Sequence, residues 1–155
     1  MTTSAFFEDF AVGQRYRSTP LVVERDRIVA FALEFDPQPQ HLGDASAAES
    51  HFGELVASGW HTAALTMRLL LQALPPLAGG GQGLGLEELA WPHPVRPGDA
   101  LHVEAEVLAT RLSRSKPDKG LVRMRCLTLN QRQLVVQRVT HNMLAARRAG
   151  GVSAP

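Results

Sequence analysis

Residues 60–74 read Trp-His-Thr-Ala-Ala-Leu-Thr-Met-Arg-Leu-Leu-Leu-Gln-Ala-Leu, and this stretch decides the fold. Its leucines and alanines predict a helix in which few polar side chains interrupt the apolar ones. A helix that is apolar nearly all round is buried inside a domain. Pro75 and Pro76 end it, because proline has no N–H to donate. The sequence therefore predicts a long central helix that other elements must cover.

The second half of the chain has the pattern of strands that could provide this cover. Apolar and polar residues alternate along one segment, which is typical of a strand with one buried face. Pro92 and Pro94 interrupt the segment before it, and this favours an edge strand or a bulge. A sheet wrapped around one buried helix lets both bury a face, so the predicted class is α+β. The predicted strands, in antiparallel succession, are Leu84–Val95, Leu101–Val107, Leu121–Leu129 and Leu134–Leu144.

The first half of the chain has one extended segment and two predicted helices. Tyr16 to Val23 carries extended signals, although Pro20 interrupts it. Apolar residues recur at helical spacing from Glu24 to Phe35, which predicts a helix there. Asp44 is of a residue type that caps helices, and we expect it to begin a short helix over Ala45 to His51.

Length and composition describe one ordinary globular domain. At 155 residues, with 45% hydrophobic and 20% charged residues, the chain can bury a real core. A net charge of +1 and the lack of a basic block argue against nucleic acid as a partner. No apolar run reaches the roughly 18 residues that a membrane-spanning helix needs. Cys126, the single cysteine, lies in an apolar run, which favours a buried thiol in a reducing cytoplasm.

The two ends of the chain carry weak structural signals. Met1 to Phe10 has neither the basic nor the apolar region of a signal peptide, so we expect a cytoplasmic protein. Residues 147–155 are small, basic and rich in glycine and alanine, which is typical of a flexible tail. We therefore expect a single domain over residues 1–146.

The stretch Phe35-Asp36-Pro37-Gln38-Pro39-Gln40-His41 lies between the first predicted helix and the central one. No helix can run through it, because its prolines remove N–H donors and push the preceding residues towards extended geometry. A stiff turn can bring Asp36 and His41 together although they are five positions apart. An acid beside an imidazole is a potential acid–base pair. The alternative is an Asp and a His that are solvated or cap a helix.

This motif, followed by Phe52-Gly53 and by Ser58-Gly59-Trp60-His61-Thr62, resembles the MaoC-like dehydratase family, the (R)-specific enoyl-CoA hydratases with a hotdog fold. Residues 94–101 and 113–120 resemble further stretches of the same family, so the resemblance covers nearly the whole chain. It implies a curved antiparallel sheet wrapped around a long central helix, usually in a homodimer or a higher assembly.

The resemblance also implies an activity, the reversible addition of water to a trans-2-enoyl thioester to give the (R)-3-hydroxyacyl thioester. Coenzyme A or acyl carrier protein is then part of the substrate, and no metal or redox cofactor takes part. The implied active site consists of Asp36, His41 and the backbone of Gly59. Two positions depart from the family pattern, because Gln38 stands where asparagine is common and Gly43 where aspartate is frequent.

Hydration requires a base for water, an acid for C2 and a group that holds charge on the thioester oxygen. We assign Asp36 as the base and His41 as the acid that also positions water, although the proton could pass either way within a coupled pair. Gly59 precedes the central helix, where orphan N–H groups and the helix dipole favour negative charge. The alternative for Gly59 is a plain helix-start glycine.

Side chains on the central helix are candidates for substrate binding. Ser58 and Thr62 could bond the substrate or cap the helix. Trp60, Met67 and Leu70 could line an acyl pocket, or belong to the core. His61 is interpreted as a packing or dimer-contact residue. The basic residues of a predicted hairpin could meet the phosphates of coenzyme A or simply be solvated; they are Arg114, Lys116 and Lys119.

Two other functions are compatible with the resemblance. A hotdog thioesterase would hydrolyse the thioester and often carries a carboxylate on the buried helix, but residues 60–74 contain no Asp or Glu. A non-catalytic subunit that binds acyl thioesters would be expected to lose Asp36 or His41, and this chain has both. The sequence therefore favours the hydratase.

Overall fold

The computed structural model describes residues 3–150 and contains a 3₁₀ helix at Phe7–Asp9 followed by four α-helices and six β-strands. The helices are α1 (Arg25–Phe35), α2 (Pro39–Leu42), α3 (Asp44–Ala48) and α4 (Gly59–Ala73). The strands are β1 (Arg15–Arg17), β2 (Leu21–Val22), β3 (Gln82–Ala90), β4 (Ala100–Leu112), β5 (Lys119–Leu129) and β6 (Val135–Ala146). The elements are those of the predicted α+β class.

Helix α4 begins and ends within one residue of the predicted bounds. Ser58 caps its first turn, because its hydroxyl oxygen accepts a hydrogen bond from the backbone N–H of Trp60 at 3.2 Å. The helix was predicted to be buried all round, and this is wrong for the single chain. Trp60, Met67 and Leu71 are 59%, 42% and 62% exposed. A single sheet covers only one face of the helix, so the opposite face stays open.

The sheet has the strand order β1-β4-β5-β6-β3, and β2 pairs with β4 as well. All of these pairings are antiparallel. The prediction that the four long strands pair in succession is wrong for β3, which pairs with β6 instead of β4. Residues 91–99 carry the chain across the sheet from β3 to β4. Strand β3 therefore lies at an edge of the sheet, as Pro92 and Pro94 predicted.

The core lies between the sheet and helices α1 and α4. The apolar face predicted for β4 is confirmed, since Leu101, Val103, Ala105 and Val107 are all buried. The opposite face departs from the prediction at His102, which is also buried. Cys126 on β5 is buried as predicted, and this burial raises the pKa of its thiol to about 12. None of the helices within residues 3–150 is both long and apolar enough to cross a membrane.

Two local predictions need correction. Asp44 does not cap α3 with its side chain; it is the first helical residue, and its carboxylate pairs with Arg25 at 2.7 Å. Arg147 and Arg148 do not belong to a free tail. They pair with Glu8 at 3.3 Å and Asp9 at 2.7 Å, which ties the end of β6 to the first helix of the chain. Residues 151–155 lie outside the described part of the chain.

Replacing Ile28 by Ala should lower the free energy of unfolding by about 2–5 kcal/mol, because the change leaves a cavity beneath α1. Ile28 is completely buried, whereas Leu33 on the same helix is 66% exposed. Leu33→Ala is the matched control and should change stability by about 0.5 kcal/mol or less. Urea unfolding of both variants measures the difference. Equal losses at the two positions would contradict the observed orientation of α1.

Candidate active site

The turn after α1 places the acid and the imidazole. Helix α1 ends at Phe35, and the chain turns where the N–H of Gln38 donates to the carbonyl of Asp36 at 2.8 Å. Pro39 then begins the short helix α2, at the first helical position where its missing N–H costs nothing. His41 lies on α2 and is buried. The proline-rich turn was predicted, but the helical turn that carries His41 was not.

Asp36 and His41 approach each other through one atom each. His41 Nε2 lies 3.5 Å from Asp36 Oδ2. The other ring nitrogen, Nδ1, lies 2.6 Å from the carbonyl oxygen of Val56. Because a carbonyl oxygen can only accept, Nδ1 must carry a proton. This backbone contact therefore leaves Nε2 as the ring nitrogen that is available for proton transfer.

Two hydrogen bonds hold the Asp36 carboxyl in its charged form. Ser58 Oγ donates to Oδ2 at 2.6 Å, and Gln38 Nε2 donates to Oδ1 at 2.6 Å. These two bonds, with a smaller contribution from the charge of His41, lower the pKa of Asp36 against a burial effect that raises it. Asp36 is thus a carboxylate at neutral pH. The glutamine that departs from the family pattern reaches the acid directly.

Ser58 joins the acid to the central helix. It is fully buried, so its hydroxyl does not face the solvent. Its donor bond goes to Asp36, and its oxygen accepts from the N–H of Trp60. The predicted cap is therefore observed. The structure places the Ser58 hydroxyl on the acid instead of in a substrate cavity.

Gly59 is the first residue of α4, and helix geometry leaves its N–H without a partner inside the helix. The ring of Trp91 lies directly against it. A β-carbon built on Gly59 would stand 2.7 Å from ring atoms Cδ2 and Cε2, closer than atoms tolerate. Trp91 Nε1 donates to Gln137 Oε1 at 2.8 Å. The position requires glycine because the indole fills the space of a side chain.

These groups surround a cavity of about 380 Å³ between the start of α4 and the segment that follows β3. Trp60 and Thr62, two of the predicted substrate contacts, line it. Met67 does not; it lies with Leu70 at a second, apolar cavity of about 260 Å³ farther along α4. The lining of the first cavity includes Asp36, Gln38, Gln40, His41, Phe52, Val56, Gly59, Trp91, His93 and Val136.

The remaining candidates lie away from this cavity. His61 is buried and stacks on Phe31 with 4.8 Å between ring centroids, in agreement with a packing role. Lys116 contacts Gln82 and Lys119 lies near Asp118, both at the hairpin between β4 and β5. Among residues 3–150, no three His, Cys, Asp or Glu side chains converge in the way a metal centre requires.

Sequence reasoning missed Val56, Trp91 and Gln137. Val56 acts through its backbone carbonyl, and no side-chain pattern can indicate such a role. Trp91 stood among prolines that predicted only an interrupted strand. Gln137 lies 46 positions from Trp91, so no local spacing links the two residues.

Comparison with known proteins finds a family match and several similar structures. The model of the MaoC like domain matches residues 8–128. A MaoC-like dehydratase structure from Rhodospirillum rubrum is 54% identical, with a TM-score of 0.88, and the match covers 94% of this chain and 99% of that one. The unliganded R-hydratase from Pseudomonas aeruginosa is 30% identical with a TM-score of 0.72, covering 97% and 93% of the two chains. A 3-hydroxybutyryl-CoA dehydratase of Methylorubrum extorquens is 35% identical over 66% of this chain and 63% of its own length.

The fold is the hotdog fold, in which a curved antiparallel sheet wraps around a helix. The family match covers most of the chain, so the protein belongs to the MaoC-like dehydratase family.

Replacing Ser58 by Ala should raise the pKa of Asp36, because it removes the hydrogen bond that lowers this pKa most. Carbon NMR of the Asp36 carboxyl measures the shift. Because the pKa of Asp36 is lowered in the folded state, the ionised group stabilises the fold at pH values above the ordinary aspartate pKa of about 3.9. This stability is lost as the pH falls from that value through the lowered pKa of the folded state. The variant should lose less stability on acidification.

Ser46→Ala is the control for this titration. The Ser46 hydroxyl donates to the carbonyls of Pro39 and Gly43 and does not contact Asp36. Its removal should leave the Asp36 titration in place. An unchanged titration in Ser58→Ala would show that this hydroxyl does not hold the carboxylate in solution.

Proposed function

We propose that this protein is a hydratase that adds water reversibly to a trans-2-enoyl thioester and forms the (R)-3-hydroxyacyl thioester. The observation that carries the proposal is the pairing of an ionised Asp36 with His41 Nε2, 3.5 Å apart, at a cavity that also contains Gly59 at the start of α4. The R-hydratase and the 3-hydroxybutyryl-CoA dehydratase named above support the reaction class, the stereochemistry and the thioester.

In the proposed reaction Asp36 is the base and His41 is the acid. Asp36 takes a proton from water as the water oxygen forms a bond to C3 of the substrate. The π-electron pair between C2 and C3 shifts towards the thioester, whose oxygen gains negative charge. C2 then takes a proton from His41. The acid proton must be on Nε2, because the proton on Nδ1 is engaged with the carbonyl of Val56.

The pair returns to its starting state when a proton passes from Asp36 to His41 Nε2. Their separation of 3.5 Å allows this with a small movement. The reverse sequence removes water from the 3-hydroxyacyl thioester by the same groups.

The proposed holder of the thioester charge is the N–H of Gly59. It belongs to the first turn of α4, where unpaired N–H groups and the helix dipole create positive potential. A donor fixed before the reaction begins stabilises developing charge more than a mobile one. Trp60 and Thr62 are proposed to contact the substrate beside it. The reaction needs no cofactor beyond the coenzyme A or acyl carrier protein that carries the acyl group.

Asp36→Asn and His41→Ala should each lower kcat by about 10²–10⁴-fold, the usual contribution of a general acid or base. The assay follows loss of enoyl absorbance when crotonyl-CoA is the substrate, and chiral analysis of the product tests the (R) configuration. Asp44→Asn is the matched control, because this exposed carboxylate contacts Arg25 outside the cavity.

Three outcomes would contradict this proposal. Release of free coenzyme A without hydration would indicate a thioesterase. Failure of the wild-type protein to act on crotonyl-CoA and on longer or branched enoyl-CoAs would favour a binding subunit. Full activity in a folded Asp36→Asn or His41→Ala variant would remove these residues from the reaction.

We also propose that the protein forms a homodimer through β3. This strand lies at the edge of the sheet and exposes its backbone, and Leu84 on it is 50% exposed. Exposed apolar side chains of α4, including Met67 and Leu71, extend this apolar surface. A long apolar edge strand is a template for pairing with another chain. A second copy would cover both the strand and the open face of α4.

Light scattering should therefore show a dimer at micromolar concentration. Leu84→Lys should shift the protein towards monomer, because it places a charge in the proposed interface. Val12→Lys is the control, since Val12 is 65% exposed and lies in the turn before β1, which is at the opposite end of the strand order from β3. A wild-type monomer, or a Leu84→Lys variant that remains a dimer, would contradict an interface at β3.

A further inference from the structure

The segment after β3 presses an aromatic ring onto the start of the central helix. Trp91 is the first residue after β3, and its indole occupies the place where a side chain of Gly59 would stand. The ring atoms nearest to that place, Cδ2 and Cε2, belong to the bond shared by the two rings. Trp60 meets the same indole edge-on, with 5.4 Å between the ring centroids. The backbone of Gly59 is therefore in direct contact with the indole.

A buried amide holds the indole in this orientation. Gln137 on β6 is 2% exposed, and its Oε1 accepts the indole N–H at 2.8 Å. The neighbouring Val136 lines the same cavity as Trp91. Leaving the buried Gln137 oxygen without a donor would cost free energy, so this hydrogen bond favours one orientation of the indole ring. Strand β6 thus fixes the indole, and the indole contacts the helix start.

We propose that Trp91 is a positioning residue that fixes the Gly59 N–H for the thioester oxygen, and that Gln137 acts through Trp91. This inference rests on the hydratase function proposed above. Glycine has more backbone freedom than any other residue, and a mobile donor loses part of its effect on developing charge. The indole removes this freedom without placing a side chain between the N–H and the cavity.

A residue that only fills space would act differently. Its replacement would lower stability and reduce the amount of folded enzyme, but each folded molecule would keep its kcat. A positioning residue controls a bond that strengthens as charge develops on the thioester. Its loss lowers kcat with little change in KM.

The experiment compares the Trp91→Leu and Gln137→Leu variants with the wild-type protein, each in the oligomeric state in which it is purified. Trp91→Leu should lower kcat on crotonyl-CoA by about 10²-fold, the lower end of the effect of losing one oxyanion donor. KM should change much less than kcat. Gln137→Leu should lower kcat in the same direction but less, because the ring remains in place without its hydrogen bond.

A spectroscopic measurement separates positioning from packing. A 4-dimethylaminocinnamoyl thioester of coenzyme A absorbs at longer wavelength when its carbonyl is polarised by a hydrogen bond. The red shift of this bound probe should be large in the wild type, smaller in Gln137→Leu and smallest in Trp91→Leu. A role limited to packing would leave the shift unchanged.

Thr128→Val is the matched control. Thr128 pairs with Gln137 in the sheet, is fully buried, and shares a side-chain hydrogen bond of 2.6 Å with Thr66. It does not line the cavity. Its replacement should lower the melting temperature and leave kcat and the probe spectrum unchanged.

The inference is overturned if Trp91→Leu keeps the wild-type kcat and red shift, or if its activity falls only in proportion to the folded fraction. If the wild type hydrates enoyl thioesters and Trp91→Leu is equally active, this inference is wrong but the proposed function stands. A wild-type protein that hydrates no enoyl thioester removes the proposed function and this inference with it.

Discussion

The hydrogen bond between Ser58 and Asp36 is the contact on which the candidate site depends. Its length is 2.6 Å, and Ser58 is fully buried. The same hydroxyl caps α4, so the start of the central helix and the acid after α1 are held by one atom. The helix start and the acid are consequently fixed relative to each other. The proposed base and the proposed oxyanion donor need such a fixed relation.

The protein controls protonation at this site through hydrogen-bond partners. Donors from Ser58 and Gln38 keep Asp36 ionised although burial opposes its charge. The carbonyl of Val56 determines which nitrogen of His41 keeps its proton. Val56 is itself held by a bond from its N–H to the carbonyl of Gln40 at 3.0 Å. The proposed acid–base pair is therefore built by two segments, the turn after α1 and the chain before α4.

The path of the sheet explains why the cavity lies where it does. Strand β3 pairs with β6, so the chain must cross the sheet before it begins β4. That crossing brings Trp91 onto Gly59 and closes one side of the cavity. The same topology leaves β3 at the edge and one face of α4 exposed. The candidate site and the open apolar surface thus arise from one connection.

By itself, the sequence determined most of the local elements and the family. Hydrophobic periodicity located α4 within one residue and the buried face of β4, because periodicity reports which side of a helix or strand avoids water. The prolines predicted the turn that brings Asp36 towards His41. Only the tertiary structure decided the pairing of β3 with β6, the exposure of α4, the partner of Ser58 and the contact of Trp91 with Gly59. The Ser58–Asp36 bond and the Trp91–Gly59 contact join residues 22 and 32 positions apart, and the pairing of β3 with β6 joins residues 48 to 62 positions apart. Such contacts depend on the path of the whole chain, which no local pattern encodes.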